Sequence, residues 1–232
     1  MIQIRKANER GSTKVDWLNS RHTFSFGHYY DPQYMGFRTL RVINEDRVIP
    51  GGGFEAHSHR DMEIISYVLS GALEHKDNLG NGSVVRPGEV QRMSAGTGIS
   101  HSEFNHSKSE GVHFLQIWIE PGCAGLNPGY EQKVFAAEDR LGCFQLVGDQ
   151  FGSEGAVTIH QDVRFYLGKM LPEQDLEQQL TDNRYAWIQV LCGDVTLFGH
   201  RLESGDGVAV SGEHKLELHS DRGAELMLFD LA

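Results

Sequence analysis

Short apolar runs separated by turn residues recur along the chain. Val112-His113-Phe114-Leu115-Gln116-Ile117-Trp118-Ile119 is rich in β-branched and aromatic side chains and stops at Glu120-Pro121-Gly122. Ile64-Ile65-Ser66-Tyr67-Val68-Leu69 stops at Ser70-Gly71, and Tyr185-Ala186-Trp187-Ile188-Gln189-Val190-Leu191 stops at Cys192-Gly193-Asp194. Asp77-Asn78-Leu79-Gly80-Asn81-Gly82 has the composition of a hairpin loop. Runs of this length and composition, bounded by glycine and proline, predict strands. A sustained helical period is absent, and short helical turns are expected only near Lys14–Asn19 and Ala136–Arg140. The expected class is all-β, a barrel or sandwich.

The pattern also echoes itself. Ser70-Gly71-Ala72-Leu73-Glu74 followed by Arg86-Pro87-Gly88-Glu89-Val90 is matched by Cys192-Gly193-Asp194-Val195-Thr196 followed by Ser204-Gly205-Asp206-Gly207-Val208. Each half reads strand, glycine turn, strand, glycine turn, strand. That repeat predicts two similar β-domains in tandem, residues 1–125 and 126–232, divided within Gly122–Gly129.

Composition narrows the function classes. The net charge of -11 repels a phosphate backbone, and no basic run offsets it, so direct nucleic-acid binding is not expected. No apolar run is long enough to span a membrane. Met1-Ile2-Gln3-Ile4-Arg5-Lys6 lacks a basic patch followed by an apolar stretch, so no secretion signal is expected. Cys123, Cys143 and Cys192 are widely spaced and odd in number, which fits reduced packing thiols in a cytoplasmic protein.

The candidate chemistry lies in two short segments. In Ala56-His57-Ser58-His59-Arg60-Asp61-Met62-Glu63, the two histidines sit at i and i+2. On a strand that spacing puts both imidazoles on one face, where they can converge on a divalent metal. In Gly98-Ile99-Ser100-His101-Ser102-Glu103, a histidine and a carboxylate repeat the spacing. If the two strands pair, His57, His59, His101 and Glu103 form a ligand set that leaves positions open for water, substrate or dioxygen. At the offsets that separate His57 and His59 from Gly71, the second half carries Gln179 and Thr181 before Gly193. At the offset of His101 from Gly88 it carries Leu218 after Gly205, so the second domain is expected to hold no metal. His219 is read as a lone surface residue. Trp118 and Phe114 are read as core.

These segments carry a family resemblance. Arg21-His22-Thr23-Phe24-Ser25-Phe26-Gly27, Leu40-Arg41-Val42-Ile43-Asn44-Glu45-Asp46, His57-Ser58-His59-Arg60-Asp61-Met62-Glu63 and Ser94-Ala95-Gly96-Thr97-Gly98-Ile99-Ser100-His101-Ser102-Glu103 resemble the pirins, a family of the cupin superfamily. The resemblance covers most of residues 20–120 and is looser in the C-terminal half. It implies a bicupin fold, two tandem jelly-roll barrels or sandwiches with few short helices, and a metal in the N-terminal barrel on His57, His59, His101 and Glu103. Glu63 occupies the place of the carboxylate ligand found in many cupins. The pirin pattern moves that role to Glu103, which leaves Glu63, with Arg60, to support the ligands from behind. Gly96 stands where cupins commonly have proline.

Pirin-like proteins of this type are associated with quercetin 2,3-dioxygenase activity. The resemblance therefore implies a metal-dependent enzyme that opens a flavonol with dioxygen, releasing carbon monoxide and a depside, with Glu103 as general base. The metal is expected to be one divalent ion of iron, copper, nickel, zinc, manganese or cobalt. Other pirins act as redox-sensitive modules that bind regulatory proteins, which is the alternative reading. A cavity open to the metal discriminates for the enzyme. Two barrels in one chain can cover each other's sheets, so a monomer is expected.

Overall fold

The computed structural model describes all residues, Met1–Ala232. The regular structure of the chain is nearly all strand, and its helical segments are the short 3-10 turns Ala7–Glu9, Ala137–Arg140 and Ser153–Gly155. The second of these coincides with the turn expected at Ala136–Arg140. The turn expected near Lys14–Asn19 is instead a tight reversal between the strands Gly11–Lys14 and Leu18–His22. It is closed by Val15 N–H donating to Leu18 O at 2.9 Å. Trp17 belongs to an aromatic contact with Phe54, so tertiary packing holds this stretch open.

The chain forms two compact units. One comprises Gly11–Phe135 with Val157–Gln161, and the other Met1–Arg10, Ala136–Ala156 and Asp162–Ala232. The division therefore differs from a simple split after residue 125. Gly129–Val134 stays with the first unit because it pairs with Glu89–Ser94. Ile2–Arg5 belongs to the second because it pairs with Gly207–Ser211.

The first unit is built on two antiparallel sheets. The larger runs Gly129–Val134, Glu89–Ser94, Glu63–Ser70, Val112–Ile119, Leu40–Val48, Leu18–His22, Gly11–Lys14. The smaller runs Gly53–His59, Ile99–Asn105, Leu73–Asp77, Gly82–Val85. Leu18, Val48, Val68, Val112 and Phe114 from the larger sheet pack with Leu73 and Val85 from the smaller. That shared apolar layer makes the unit a sandwich.

In the other unit the main sheet runs Ile2–Arg5, Gly207–Ser211, Tyr185–Leu197, Ala224–Leu231, Val163–Met170, Phe144–Asp149. Its interior is filled by Leu176, Ile188, Val190, Leu197, Leu202, Leu216, Leu218 and their neighbours. Leu218 is thus a core residue, and Gln179 and Thr181 are exposed.

The repeat in the sequence has a backbone cause. Gly71 and Gly193 both turn the chain with positive φ, at 80° and 77°. A Cβ on Gly71 would meet Gly111 O at 2.6 Å, and one on Gly193 would meet Gly223 O at 2.1 Å. Each unit needs glycine at that turn for the same reason: a left-handed backbone pressed against a neighbouring carbonyl.

Candidate metal centre

The smaller sheet of the first unit carries the histidines. Gly53–His59 and Ile99–Asn105 run antiparallel, with His101 opposite His57 and Ile99 opposite His59. The register shifts between His101 and Glu103, so Glu103 lies opposite Phe54. Along Ile99–Asn105 the alternation is strict: Ile99, His101, Glu103 and Asn105 are buried and the residues between them are not. Period two thus turns His101 and Glu103 to the same interior face.

The three imidazoles form a tight triangle. Ring centroids are 4.8 Å apart for His57 and His59, 4.5 Å for His57 and His101, and 4.9 Å for His59 and His101. One nitrogen from each lies within 4.8 Å of the others, an arrangement that can hold a metal ion. Glu103 enters a second group that shares His101, together with His75. His101 is therefore the residue common to both groups.

The environment keeps these groups in ligand form. Burial, followed by repulsion from His57, lowers the His59 imidazole to about 4. Burial, with repulsion from His57, His59 and His75, lowers His101 to about 3. Both rings are neutral at neutral pH, as metal binding requires. His57 Nδ1 lies 2.7 Å from Glu55 O, a contact only an N–H can make, so its Nε2 carries the free lone pair. His101 Nε2 is buried without a hydrogen-bond partner. A bare, dehydrated nitrogen beside two other imidazoles is costly unless an electrophile fills the gap, and it is the clearest sign that these residues fit a metal.

Glu103 is 1% exposed, and burial pushes its carboxyl up to about 7 against the opposing hydrogen bonds from Gln116 and Ser66. Gln116 Nε2 donates to Oε2 at 2.6 Å and Ser66 Oγ donates to Oε1 at 3.2 Å. Gln116 Oε1 in turn accepts from the Trp118 indole N–H at 3.2 Å. The signal for Gln116 and Ser66 was present in the sequence, as single polar residues inside the apolar runs Phe114–Ile119 and Ile64–Leu69. Each faces the interior at a position that an apolar pattern alone would fill with carbon.

A cavity of about 750 Å³ opens onto His57, His59, Glu103 and Gln116. Its walls include Trp17, Phe26, Phe54, Phe104 and Trp118. Trp118 meets His59 edge-on at 4.9 Å and Phe26 at 5.4 Å. Phe114 is fully buried, as expected of core, whereas Trp118 is half-buried and forms part of the cavity wall. A neighbouring cavity of about 550 Å³ shares Trp17 but has only His113 among imidazoles.

Two residues expected to support the ligands sit elsewhere. Glu63 is buried, but it accepts from Ser94 Oγ at 3.0 Å and from the His160 backbone N–H at 3.2 Å rather than from the imidazole triangle. Its role is to fasten the Val157–Gln161 segment to the larger sheet. Arg60 is exposed, after the end of the strand Gly53–His59, with its side chain in neither an ion pair nor a hydrogen bond. His75, by contrast, is completely buried beside His101.

In the other unit, His219 is not solitary: it is flanked by Asp175 at 2.7 Å and Asp221 at 3.0 Å on the protein surface. Cys123, Cys143 and Cys192 are unpaired, and all three are exposed rather than packed. No helix is long and apolar enough to cross a membrane.

Comparison with known proteins adds relatives to this geometry. The family model described as Pirin matches residues 3–119, and the model of the quercetinase C-terminal cupin domain matches residues 146–231. Quercetin 2,3-dioxygenase of Escherichia coli K12 is 47% identical over 231 residues, covering 100% of this chain and 99% of the relative. A pirin-like protein of Caulobacter vibrioides is 37% identical over the full length of both. Among solved structures, the Escherichia coli bacterial pirin YhhW in complex with nickel(II) superposes with a TM-score of 0.95 at 47% identity. That match covers 100% of this chain and 99% of that one.

Proposed function

The chain belongs to the pirin family, and on that premise we propose that it is a metal-dependent quercetin 2,3-dioxygenase of the cytoplasm. The observation that carries the reading is the open cavity lined by His57, His59 and the buried Glu103, with His101 completing the imidazole triangle behind it. A sealed metal beside an exposed apolar patch would favour a regulatory binding module; an accessible, aromatic-walled cavity favours turnover of a small flat molecule. The name of the Escherichia coli relative and the nickel(II) in YhhW support the same activity and the same kind of cofactor here.

His57, His59 and His101 would hold the metal, with Glu103 completing the set next to His101. Bound there, a divalent transition metal supplies Lewis acidity toward the oxygen of a flavonol 3-hydroxyl. The chain's own residues do the rest. Trp118 and Phe26, with Trp17 and Phe54, wall the cavity with rings suited to an aromatic substrate and keep bulk water from it. Glu103 takes the 3-hydroxyl proton. A carboxyl pushed to about 7 is matched to that task, because it is a stronger base than an exposed glutamate and still ionises near neutral pH. Gln116 fixes the carboxylate through Oε2 and is itself fixed by Trp118, so the wall of the cavity and the base are one hydrogen-bonded unit. The flavonolate then reacts with dioxygen, the central ring opens, and carbon monoxide and a depside leave.

The test is aerobic incubation of nickel-, iron-, copper-, manganese- or cobalt-loaded protein with quercetin. Loss of the flavonol's visible absorbance with release of carbon monoxide is the expected result. Absence of carbon monoxide with every metal overturns the proposal.

A further inference from the structure

The strand Leu73–Asp77 lies beside Ile99–Asn105, with Asp77 opposite His101 and His75 opposite Glu103. The side chains of His75 and Asp77 are both fully buried, and His75 Nε2 lies 3.1 Å from Asp77 Oδ2. The Asp77 carboxylate is already surrounded by donors. Leu79 N–H and Asn81 N–H donate to Oδ1 at 3.0 Å each, and Asn81 Nδ2 donates to Oδ2 at 2.9 Å. An oxygen pair with those partners accepts and does not donate, so the proton in the contact with His75 sits on Nε2. Neutral His75 is then bare at Nδ1. His75 Nδ1 lies 3.4 Å from His101 Nδ1, and two facing ring nitrogens share one proton between them. With His75 bare on that side, the proton belongs to His101 Nδ1. That leaves His101 Nε2 bare, and Nε2 is the buried atom without a partner. The Tyr130 ring lies 5.0 Å from that of His75 and limits its rotation.

We propose that Asp77 and His75 are positioning residues that lock His101 in the tautomer whose free Nε2 is available to a metal. The aspartate acts on the ligand through one intervening imidazole, and the two residues sit at i and i+2 of a strand that carries no ligand itself. A carboxylate or carbonyl behind a ligating histidine sets its tautomer and orientation in metal sites generally; here a second histidine relays the effect. The consequence for metal affinity rests on the proposal that His101 is a ligand, but the tautomer does not.

The experiment is a two-bond proton–nitrogen spectrum of the histidine rings in the full-length, metal-free protein and in Asp77→Asn, together with nickel titration calorimetry of both. In the variant the amide oxygen stays with the Leu79 and Asn81 backbone donors and the Asn81 side-chain amide turns over to accept, so the new NH2 is presented to His75 Nε2 and reverses the chain. The parent protein is expected to show His101 protonated at Nδ1, and Asp77→Asn to show it protonated at Nε2 with nickel binding weakened about 10- to 100-fold. A parent spectrum with His101 protonated at Nε2 overturns the proposal, as does a variant whose tautomer and nickel affinity are both unchanged. The parent spectrum decides by itself if the variant does not fold. Correct tautomers without nickel binding in either protein leave the relay standing and remove the metal assignment instead.

Discussion

Glu103 shows what burying a single carboxyl costs. Its carboxyl ionises near 4.5 in an unfolded chain and near 7 in the folded, metal-free protein. Between those values the folded state holds a proton that the unfolded state has released. Stability from this group therefore falls as pH rises through that window, because folding must then strip the carboxylate of water. Glu103→Gln removes that penalty. In metal-free protein the stability of the variant relative to the parent is expected to rise between about pH 5 and about pH 8, by about 3 kcal/mol, followed by thermal melting at each pH. A difference that stays flat across the range contradicts the burial account. Asp46 is also pushed up to about 7, mainly by burial and in part by the Glu103 carboxylate, so removing that charge relieves Asp46 as well and acts in the same direction. Of the residues in the site, the two His-x-His and His-x-Glu pairs were legible because strand periodicity gives their spacing a direct meaning. Gln116 and Ser66 stand out only as single polar residues in apolar runs, and their partners, like those of Asp77, were not legible, because a hydrogen bond across strands depends on register that spacing along the chain does not encode.

At the scale of elements, the strands were legible from apolar runs and glycine turns, and the reversal at Val15–Trp17 was not. Its polar and apolar order resembles a helical turn, and only the packing of Trp17 on Phe54 decides against it. The turn before Ile99–Asn105 explains a departure from the common cupin pattern. Gly96 has φ of 48°, and a Cβ there would lie 2.1 Å from Leu126 O and 2.8 Å from its carbonyl carbon. Proline cannot take positive φ, and any side chain collides with a backbone group that has no room to retreat. Gly96→Ala is expected to destabilise the protein by about 2 kcal/mol or more, read from its urea midpoint. The loss also reaches the site, since this turn leads into Ile99–Asn105, the strand that carries His101. An unchanged midpoint contradicts the close approach.

For the whole molecule, the repeat of glycine turns correctly foretold two β-units, and none of the three positions at ligand offsets in the second half carries a ligand: Gln179 and Thr181 are exposed and Leu218 is core. Leu218, at the sequence offset of His101, lies within a continuous apolar cluster. The order of residues could not foretell that Ile2–Arg5 would pair with Gly207–Ser211, because a short edge strand is recruited by pairing rather than by proximity in sequence. The imidazole triangle, the aromatic cavity and the buried Glu103 carboxyl all fall in the unit Gly11–Phe135 with Val157–Gln161. The direct measurement of the central claim is turnover of quercetin by nickel-loaded protein under isotopically labelled dioxygen, with His101→Ala as the control. A dioxygenase places both labelled atoms in the depside, while the carbon monoxide carries away the flavonol's own carbon and oxygen, and His101→Ala forms neither product. Products that carry no label, or equal yields from the parent and His101→Ala, would contradict the account.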